Sequence, residues 1–390
     1  MTERRTRVLL LASTFPAEPG DGTPEFVGDL AVELAKTMDV RILVPSVPDA
    51  PTRSTYRGVD IYRFRFFPRR WEDLADGAIL ENIRGRRIRA LQIVPFFVSE
   101  IYNVVRHIRS FKPDVIHAFW IIPQGLSAFV VNRKIPVLLT TLGGDLYALV
   151  DTPLRGLITR IVKHAKHTTV MNAQMKGEVE RLGIDPSAVS VEPMGADLSG
   201  IVPHDVRETD TVEILFVGRL VEKKGLRHLI ASLKNVETNY RLTVIGHGPL
   251  EEELKQLADG MPVSFVGEKP KTELRACYSS ADMIILPSVR AASGDQDGLP
   301  VVLLESLASG LPTIASDLPG IDTVVSHRET GLLVTPGDEA ALTRAIDELA
   351  ADTELRRTLS EAGKDRAADR SVVAVGERYA PLLKKIAGMR

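Results

Sequence analysis

Short apolar runs rich in β-branched residues alternate with amphipathic helical segments, and this alternation occurs twice along the chain of 390 residues. Near-continuous apolar strands separated by helices are typical of parallel sheets that helices cover on both faces. The first series comprises RVLLLAS, VRILVP, VDIYRFRFF, DVIHAFW, VLLTT and HTTVMN, and the second comprises EILFVG, YRLTVIG, VSFVG, MIILPS, PTIAS and GLLV. The sequence therefore predicts two doubly wound, Rossmann-like α/β domains.

A polar, irregular segment separates the two series. Residues 197–212, DLSGIVPHDVRETDTV, show neither strand nor helix periodicity, as expected of an interdomain linker. We predict an N-terminal domain over residues 1–200 and a C-terminal domain over residues 205–374, with a last helix at about 375–390 that packs back on the first domain. Because doubly wound folds bind ligands at the carboxyl ends of their strands, a ligand cleft between the domains is expected.

Composition and charge exclude several classes of protein. The single cysteine, Cys277, rules out a disulfide framework and suits a reducing compartment. No apolar run approaches the roughly 20 residues that span a bilayer, and the apolar stretch at the N-terminus is too short for a secretory signal. Residues 1–200 carry 26 Lys and Arg against 22 Asp and Glu, and residues 201–390 carry 23 against 29. Neither half reaches the pI above about 9 of a nucleic-acid binder, so we expect a cytoplasmic protein with no nucleic-acid partner.

Arginine and aromatic residues are interleaved between Arg53 and Arg89, just before the apolar segment ALQIVPFFV. The residues concerned are Arg63, Arg65, Arg69, Arg70, Arg84, Arg86, Phe64, Phe66, Phe67 and Trp71. Amphipathic surfaces of this kind bind anionic bilayers. We therefore predict a peripheral contact with the inner face of the cell membrane through about residues 63–98. A solvated helix whose arginines extend over a core is the alternative.

The loops after the second series of strands hold a candidate phosphate site. Strand EILFVG runs into GRLVEKKG, where Gly218 allows the backbone to approach a ligand and Arg219 and Lys224 offer two cations to a multiply charged anion. A solvated basic loop is the alternative reading of this segment. The next strand runs into GHGPL, which contains Gly248. Because Glu251 takes the last position of G-x-G-x-x-G, a nicotinamide dinucleotide site is not indicated.

Two carboxylates lie around the start of a further predicted helix. Asp297 lies in the loop GDQDGLP, and Glu305 follows eight positions later within the apolar run VVLLESL. Pro300 is predicted to be the first residue of a helix that stops at Gly310, and the N-terminus of such a helix favours phosphate. Glu305, one and a half turns into the helix, is placed to accept hydrogen bonds from the hydroxyls of a ribose. Asp297 is placed to bind a polyhydroxylated group, and a sugar nucleotide contains both groups.

Jointly, these motifs resemble the retaining glycosyltransferases of glycosyltransferase family 4, which have the GT-B fold. The resemblance includes LLLASTFPAEPGDGTPEFVGDLA, DVIHAFWIIPQGLSA, LTTLGGDLYAL, GRLVEKKGL, VIGHGPLEEEL and TGLLVTPGD. Its most specific motif is a pair of acidic residues separated by seven others and followed by A-x-G-x-P, here Asp297, Glu305 and ASGLP. The resemblance implies transfer of a hexosyl group from a UDP- or GDP-linked sugar to a glycan or lipid-linked acceptor of surface polysaccharide biosynthesis, with no cofactor.

The resemblance also implies roles for single residues. Arg219 and Lys224 bind the diphosphate and stabilise the leaving group, Glu305 binds the ribose, and Asp297 contacts the transferred sugar. On the acceptor side, His117 matches the histidine that ends a strand, and Asp145 matches the aspartate of the G-G-D turn. The remaining donor-binding positions are Gly20, Asp21, Gly22, Gly218, Gly248, Gly298, Leu299 and Val301.

Two alternatives to transfer remain, the first of them because Phe119 and Leu142 stand where the family commonly has histidine. One alternative is a catalytically silent sugar-nucleotide binder, and another is a sugar-nucleotide epimerase on the same fold, a class that lacks the GRLVEKKG and paired-acid signature. Asp295 and Asp297 spell the D-x-D triplet of metal-dependent glycosyltransferases. Because two cations and a helix N-terminus already balance the charge of a diphosphate, we expect no metal.

Overall fold

The computed structural model describes residues 4–18, 25–76, 79, 82–83, 86–131, 134–292 and 300–389, apart from the side chain of residue 271. The chain forms two compact units. The N-terminal unit comprises Met1–Asp197 together with Val372–Arg390, and the C-terminal unit comprises Leu198–Ser371. The last segment of the chain therefore belongs to the first unit.

The N-terminal unit contains one sheet of eight strands. These are β1 (Arg7–Leu11), β2 (Asp39–Pro45), β3 (Arg53–Tyr56), β4 (Val59–Phe64), β5 (Val115–Phe119), β6 (Val137–Thr140), β7 (His167–Val170) and β8 (Val189–Val191). Their order in the sheet is β3-β4-β2-β1-β5-β6-β7-β8, and all pairs are parallel except the β3–β4 hairpin. The strand order reverses between β1 and β5, which makes this point the switch point of the sheet.

The C-terminal unit contains a second sheet, of six strands. These are β9 (Val212–Val217), β10 (Tyr240–Ile245), β11 (Val263–Phe265), β12 (Met283–Leu286), β13 (Thr313–Ser316) and β14 (Leu332–Val334). Their order is β11-β10-β9-β12-β13-β14, and every pair is parallel. The switch point of this sheet lies between β9 and β12.

Helices alternate with the strands, as the sequence pattern predicts. The α-helices are α1 (Phe26–Ala35), α2 (Ile93–Phe111), α3 (Leu126–Val131), α4 (Gly144–Val150), α5 (Arg155–His164), α6 (Ala173–Arg181), α7 (Leu226–Leu233), α8 (Glu251–Leu257), α9 (Lys271–Ser280), α10 (Val301–Ser309), α11 (Glu339–Ala351), α12 (Thr353–Ala368) and α13 (Val372–Ala387). Short 3₁₀ turns occupy Arg69–Trp71, Arg87–Gln92, Pro186–Ala188, Glu222–Lys224 and Ile321–Thr323, and a π-helical turn occupies Trp120–Gly125.

The core of the N-terminal unit consists of two apolar layers, one on each face of the sheet. Alternate residues of β5 point to opposite faces, so Phe119 joins the layer beneath α1 and α13, whereas Ile116 joins the layer beneath α2. Helix α13 contributes Tyr379 and Leu383 to the first layer, together with Val375 and Ile386 from the same helix face. This stripe of apolar residues with helical spacing explains why the end of the chain packs on the N-terminal unit.

Two details of the structure differ from the sequence-based predictions. Pro300 has φ −68° and ψ 132°, so it precedes helix α10 instead of starting it, and the helix ends at Gly310 with φ 82°. Two of the four aromatic residues predicted to contact a membrane are internal, because Phe64 is 2% exposed and Phe66 is 7% exposed. Arg63 is 4% exposed. Arg63 and Phe64 are the last residues of β4, which continues the parallel sheet. Phe66 follows the strand and packs against Phe64 and Phe96, with ring centroids 6.4 Å and 5.1 Å apart.

Candidate functional site

The switch point of the C-terminal sheet brings two loops together. β9 leads into the loop that starts at Gly218, and β12 leads into the segment that precedes α10. Because β9 and β12 are parallel neighbours, both loops leave the same edge of the sheet. Ligands of doubly wound folds bind at this position, between strands whose connections run in opposite directions.

Backbone hydrogen bonds hold the loop after β9 from both sides. On the side of β10, the N–H of Leu220 donates to the carbonyl of His247 at 2.9 Å. On the side of β12, the N–H of Val289 donates to the carbonyl of Lys223 at 2.8 Å, and the N–H of Ala292 donates to the Glu222 carboxylate at 2.9 Å. The loop is therefore a fixed part of the sheet edge.

Two glycines are required by this packing. A Cβ atom at Gly248 would overlap the carbonyl of Leu220, because the loop after β10 lies directly against the loop after β9. Gly225 has φ 67°, and a Cβ atom there would overlap the carbonyl of Pro287. Only glycine combines this left-handed backbone with so close an approach. The predicted residue Gly248 thus shapes the site through its backbone.

Both predicted cations lie on this loop. Arg219 is exposed, and in the described part of the chain its guanidinium has neither a hydrogen bond nor an ion pair. Lys224 is partly buried, and its aliphatic stem covers Gly218, with Cδ 3.5 Å from the position that a Cβ atom of this glycine would take. The structure therefore brings Gly218, Arg219, Lys224 and Gly248 together at the carboxyl ends of β9 and β10.

The N-terminus of α10 lies on the β12 side of the same switch point. Val301, its first residue, is 43% exposed, the preceding residue makes no side-chain capping hydrogen bond, and the first turn holds no acidic residue. The first amides of a helix lack intrahelical acceptors, and the helix dipole is positive at this end. Together with the cationic loop, this terminus gives the site a strong preference for anions.

Glu305 lies within α10 and is 3% exposed. The hydroxyl of Tyr278, from the last turns of α9, donates a hydrogen bond to its Oε2 at 2.9 Å. Burial, followed by the neighbouring Glu305 charge, raises the pKa of Tyr278 well above its usual value, so the tyrosine stays a donor. Sequence reasoning missed Tyr278. A tyrosine in the amphipathic segment ELRACYSS is indistinguishable from an ordinary core residue, and its hydrogen-bond partner Glu305 is 27 positions away.

Several predicted residues lie outside the described part of the structure. On the donor side these are Gly20, Asp21, Gly22, Asp297, Gly298 and Leu299. The metal alternative concerned Asp295 and Asp297, which lie in the same undescribed segment. Among the residues that are described, no three His, Cys, Asp or Glu side chains are grouped as a metal site would require.

In the N-terminal unit, His117 is an internal residue of β5. It is 0% exposed, its Nε2 lies 2.8 Å from Thr140 Oγ1, and its ring stacks on Tyr379 of α13 with a centroid distance of 5.5 Å. Burial lowers the pKa of His117 to about 3, so the imidazole is neutral at physiological pH. The Tyr379 hydroxyl donates to Thr169 Oγ1 at 3.0 Å. His117 thus belongs to a buried polar chain beneath α13, and a direct role in catalysis stays a prediction.

Asp145 joins the loops that follow the neighbouring strands β5 and β6. Its Oδ2 accepts a hydrogen bond from the N–H of Ile121 at 2.6 Å, and its Oδ1 accepts bonds from the Thr141 hydroxyl at 2.8 Å and the N–H of Leu142 at 3.2 Å. Burial raises the pKa of Asp145, and these hydrogen bonds oppose the shift. The residue therefore joins the G-G-D turn after β6 to the π-helical turn after β5.

Comparison with known proteins agrees with this architecture. HepE from Anabaena, solved in complex with UDP, has a similar fold. It superposes with a TM-score of 0.68 over 97% of this chain and 100% of that chain, at 17% identity. Two Rossmann-like domains of this kind define the GT-B fold, as predicted. The family models "Glycosyl transferase 4-like domain" and "Glycosyl transferases group 1" match residues 21–195 and 203–366. The chain belongs to this family, the group 1 or family 4 glycosyltransferases.

Two curated relatives illustrate the family. The putative colanic acid biosynthesis glycosyltransferase WcaL of Escherichia coli is 34% identical over 178 residues, which cover 44% of each chain. The putative teichuronic acid biosynthesis glycosyltransferase TuaC of Bacillus subtilis is 26% identical over 376 residues, which cover 87% of this chain and 88% of TuaC. The chain spans about half the length of the curated relatives that it matches at 30% identity or more.

Proposed function

We propose that the protein is a retaining glycosyltransferase that moves a hexosyl group from a nucleoside-diphosphate sugar to a glycan acceptor. The observation that carries this proposal is the arrangement at the β9–β12 switch point. There, a rigid loop with Arg219 and Lys224, the uncapped start of α10 and the buried carboxylate of Glu305 occupy one edge of one sheet.

The proposed mechanism is electrostatic. As the bond between the sugar C1 and the diphosphate breaks, negative charge grows on the diphosphate and positive charge grows on the sugar ring. Arg219, Lys224 and the amides of α10 stabilise the leaving diphosphate without reorganisation, because the loop that holds both cations is already fixed. Glu305, oriented by Tyr278, accepts hydrogen bonds from the ribose hydroxyls. In this mechanism the charges of the protein make a metal ion unnecessary.

The donor and acceptor are proposed from the relatives. HepE was solved with UDP, and WcaL and TuaC are named for the biosynthesis of colanic and teichuronic acid. We therefore propose a UDP- or GDP-linked hexose as donor and a lipid-linked or other cell-envelope glycan as acceptor. With such a substrate pair, we also propose that the enzyme acts in the cytoplasm, peripheral to the inner face of the cell membrane.

The test is incubation with a panel of UDP- and GDP-sugars, with the products separated by chromatography. Slow release of free nucleoside diphosphate, faster when a glycan acceptor is present, supports transfer. An altered sugar that is still attached to its nucleotide would instead indicate an epimerase, and binding without any turnover would indicate a silent sugar-nucleotide binder.

A further inference from the structure

The helical segment Arg87–Phe111 presents a row of large apolar side chains to solvent. Successive members of this row are separated by three, three, four and four positions, so they lie on one side of the helix. The members are Ile88, Leu91, Val94, Val98 and Tyr102, which are 73%, 70%, 70%, 63% and 66% exposed. This row, called the apolar stripe below, is a contiguous apolar surface of a kind that marks interaction sites.

The opposite side of the same helix is part of the core. Phe96 and Val104 are buried in the layer beneath the sheet, and the Glu100 carboxylate accepts hydrogen bonds from Gln124 at 3.0 Å and from Ser127 at 2.6 Å. The segment Arg87–Phe111 has 25 residues and, contrary to the sequence-based expectation, is long and apolar enough to cross a bilayer by length and composition. Of its most apolar 18 residues, 22% are buried inside the protein. Crossing would uncover the sheet, so the geometry favours a helix that stays on the unit and lies in the plane of an interface.

The charged side chains of the segment that carries the apolar stripe are almost all positive, although Arg89 is paired with Asp73. Residues 86–111 contain five arginines and a single acid, Glu100, which is 1% exposed. Arg86 and Arg87 are exposed at one end of the stripe, and Arg106 and Arg109 are exposed at the other end. An apolar row between two cationic ends is complementary to a bilayer with anionic headgroups, because apolar side chains enter the acyl boundary while arginines remain at the phosphates.

We propose that the apolar stripe is the surface through which the N-terminal unit docks in the plane of a bilayer that contains anionic phospholipid. This inference rests on the proposed function, which calls for a lipid-linked acceptor, and deepens it by naming the contact. Four of the five stripe residues, all but Tyr102, lie within the range of about 63–98 predicted from the sequence, whereas Phe64 and Phe66 of that range are internal. Trp71, 53% exposed with the Arg70 guanidinium 3.9 Å from its ring centroid, is the one aromatic residue of that segment described as largely exposed.

The experiment is cosedimentation of the full chain with vesicles of phosphatidylcholine alone or with about 30% phosphatidylglycerol, at low and high salt. The test variant is the double substitution Val94→Glu and Val98→Glu. Its matched control is Val130→Glu, on α3 of the same unit, where the side chain is 55% exposed outside the apolar stripe. All three positions are exposed, so circular dichroism and thermal unfolding should match those of the wild type.

We expect wild type and Val130→Glu to sediment with the anionic vesicles at low salt, and the double variant to lose binding by about tenfold or more because two charges enter the apolar row. A wild-type protein that stays in the supernatant overturns the inference. A double variant that binds the vesicles like the wild type also overturns it. A double variant whose oligomeric state in light scattering differs from that of the wild type overturns it too, and would assign the apolar stripe to contact with a second copy of the chain. Nucleoside diphosphate release without vesicles is measured in parallel, so that loss of lipid binding and loss of transferase activity are distinguished.

Discussion

At the residue scale, the central question is how an apolar helix accommodates the carboxylate of Glu305. An ionised group in such surroundings is costly unless hydrogen bonds compensate it. The Tyr278 hydroxyl supplies one such bond at 2.9 Å, from a side chain that is itself fully buried. The pair is therefore preorganised, and on our account it holds Glu305 toward the ribose of the donor.

Substitution Tyr278→Phe tests this role of the tyrosine. Without the hydroxyl the Glu305 carboxylate loses its orientation, and we expect the dissociation constant of UDP or GDP to rise about tenfold, which corresponds to roughly 1.4 kcal/mol, with kcat for bound donor little changed. Calorimetric titration provides the measurement. Tyr240→Phe, at a partly buried tyrosine of β10, is the matched control. Nucleotide binding by Tyr278→Phe that equals the wild type would exclude the tyrosine from this role.

Lys224 is predicted to act in the transition state. Lys224→Ala should lower kcat by about 100- to 1000-fold, because one donor to a developing charge typically contributes about 2.7–4 kcal/mol. Initial rates of nucleoside diphosphate release at saturating donor give this value. Lys223→Ala, at the adjacent lysine, is the control and should retain most of the activity. An unchanged kcat in Lys224→Ala would remove Lys224 from the mechanism.

At the scale of elements, the buried Glu100 ties helix α2 to the π-helical turn after β5 and to helix α3. The carboxyl accepts bonds from Gln124 and Ser127, and these partners carry no charge. Burial raises the pKa of Glu100 to about 7 in the folded protein, from 4.5. The folded state therefore binds this proton more tightly than the unfolded state, and the protein loses stability as pH rises from about 4.5 through about 7.

Glu100→Gln should remove this pH dependence. The amide can keep both hydrogen bonds, because the Ser127 hydroxyl can accept as well as donate, and it has no proton to lose. We expect the variant to be more stable than the wild type at pH 8 by roughly 3 kcal/mol, and similar to it near pH 4.5. Urea unfolding at both pH values measures this difference. Glu180→Gln, at a partly exposed glutamate of α6, is the control, and equal pH profiles for Glu100→Gln and wild type would refute the explanation.

The apolar pattern of the sequence predicted the central strands but not the edge strands. Apolar runs such as MIILPS and DVIHAFW predicted the buried central strands, because a parallel strand covered on both faces is apolar at nearly every position. The pattern missed β3 (Arg53–Tyr56) and β8 (Val189–Val191). Both are short edge strands, and RSTY and VSV include polar residues, so their strand state depends on neighbours that are distant in sequence.

At the scale of the whole molecule, the positions of the residues that we propose to bind a phosphate were predictable, because they lie in loops directly after recognisable strands. Arg219 and Lys224 follow β9 in this way. Burial and pairing across the fold were not predictable from the local sequence. His117 lies beneath Tyr379 of the last helix, 262 positions further along the chain. The residues next to His117 in the sequence do not predict that this helix buries it.

Chelation of divalent metal ions is expected to leave the activity of the whole protein unchanged. We propose that Arg219, Lys224 and the N-terminus of α10 balance the diphosphate charge. EDTA should therefore leave the rate of nucleoside diphosphate release unchanged, and Mn²⁺ should not raise it. The assay is the donor panel with and without chelator. If EDTA abolished activity and Mn²⁺ restored it, Asp295 and Asp297 would become candidate metal ligands.

The most direct test of the central claim is a crystal structure of the protein with the nucleoside diphosphate that the donor panel selects. We predict that the diphosphate contacts the side chains of Arg219 and Lys224 and the first amides of α10, and that the ribose hydroxyls donate to the Glu305 carboxylate while Tyr278 keeps its hydrogen bond. The proposed donor site would be contradicted by a nucleotide bound away from the β9–β12 switch point, or by one whose ribose does not contact Glu305.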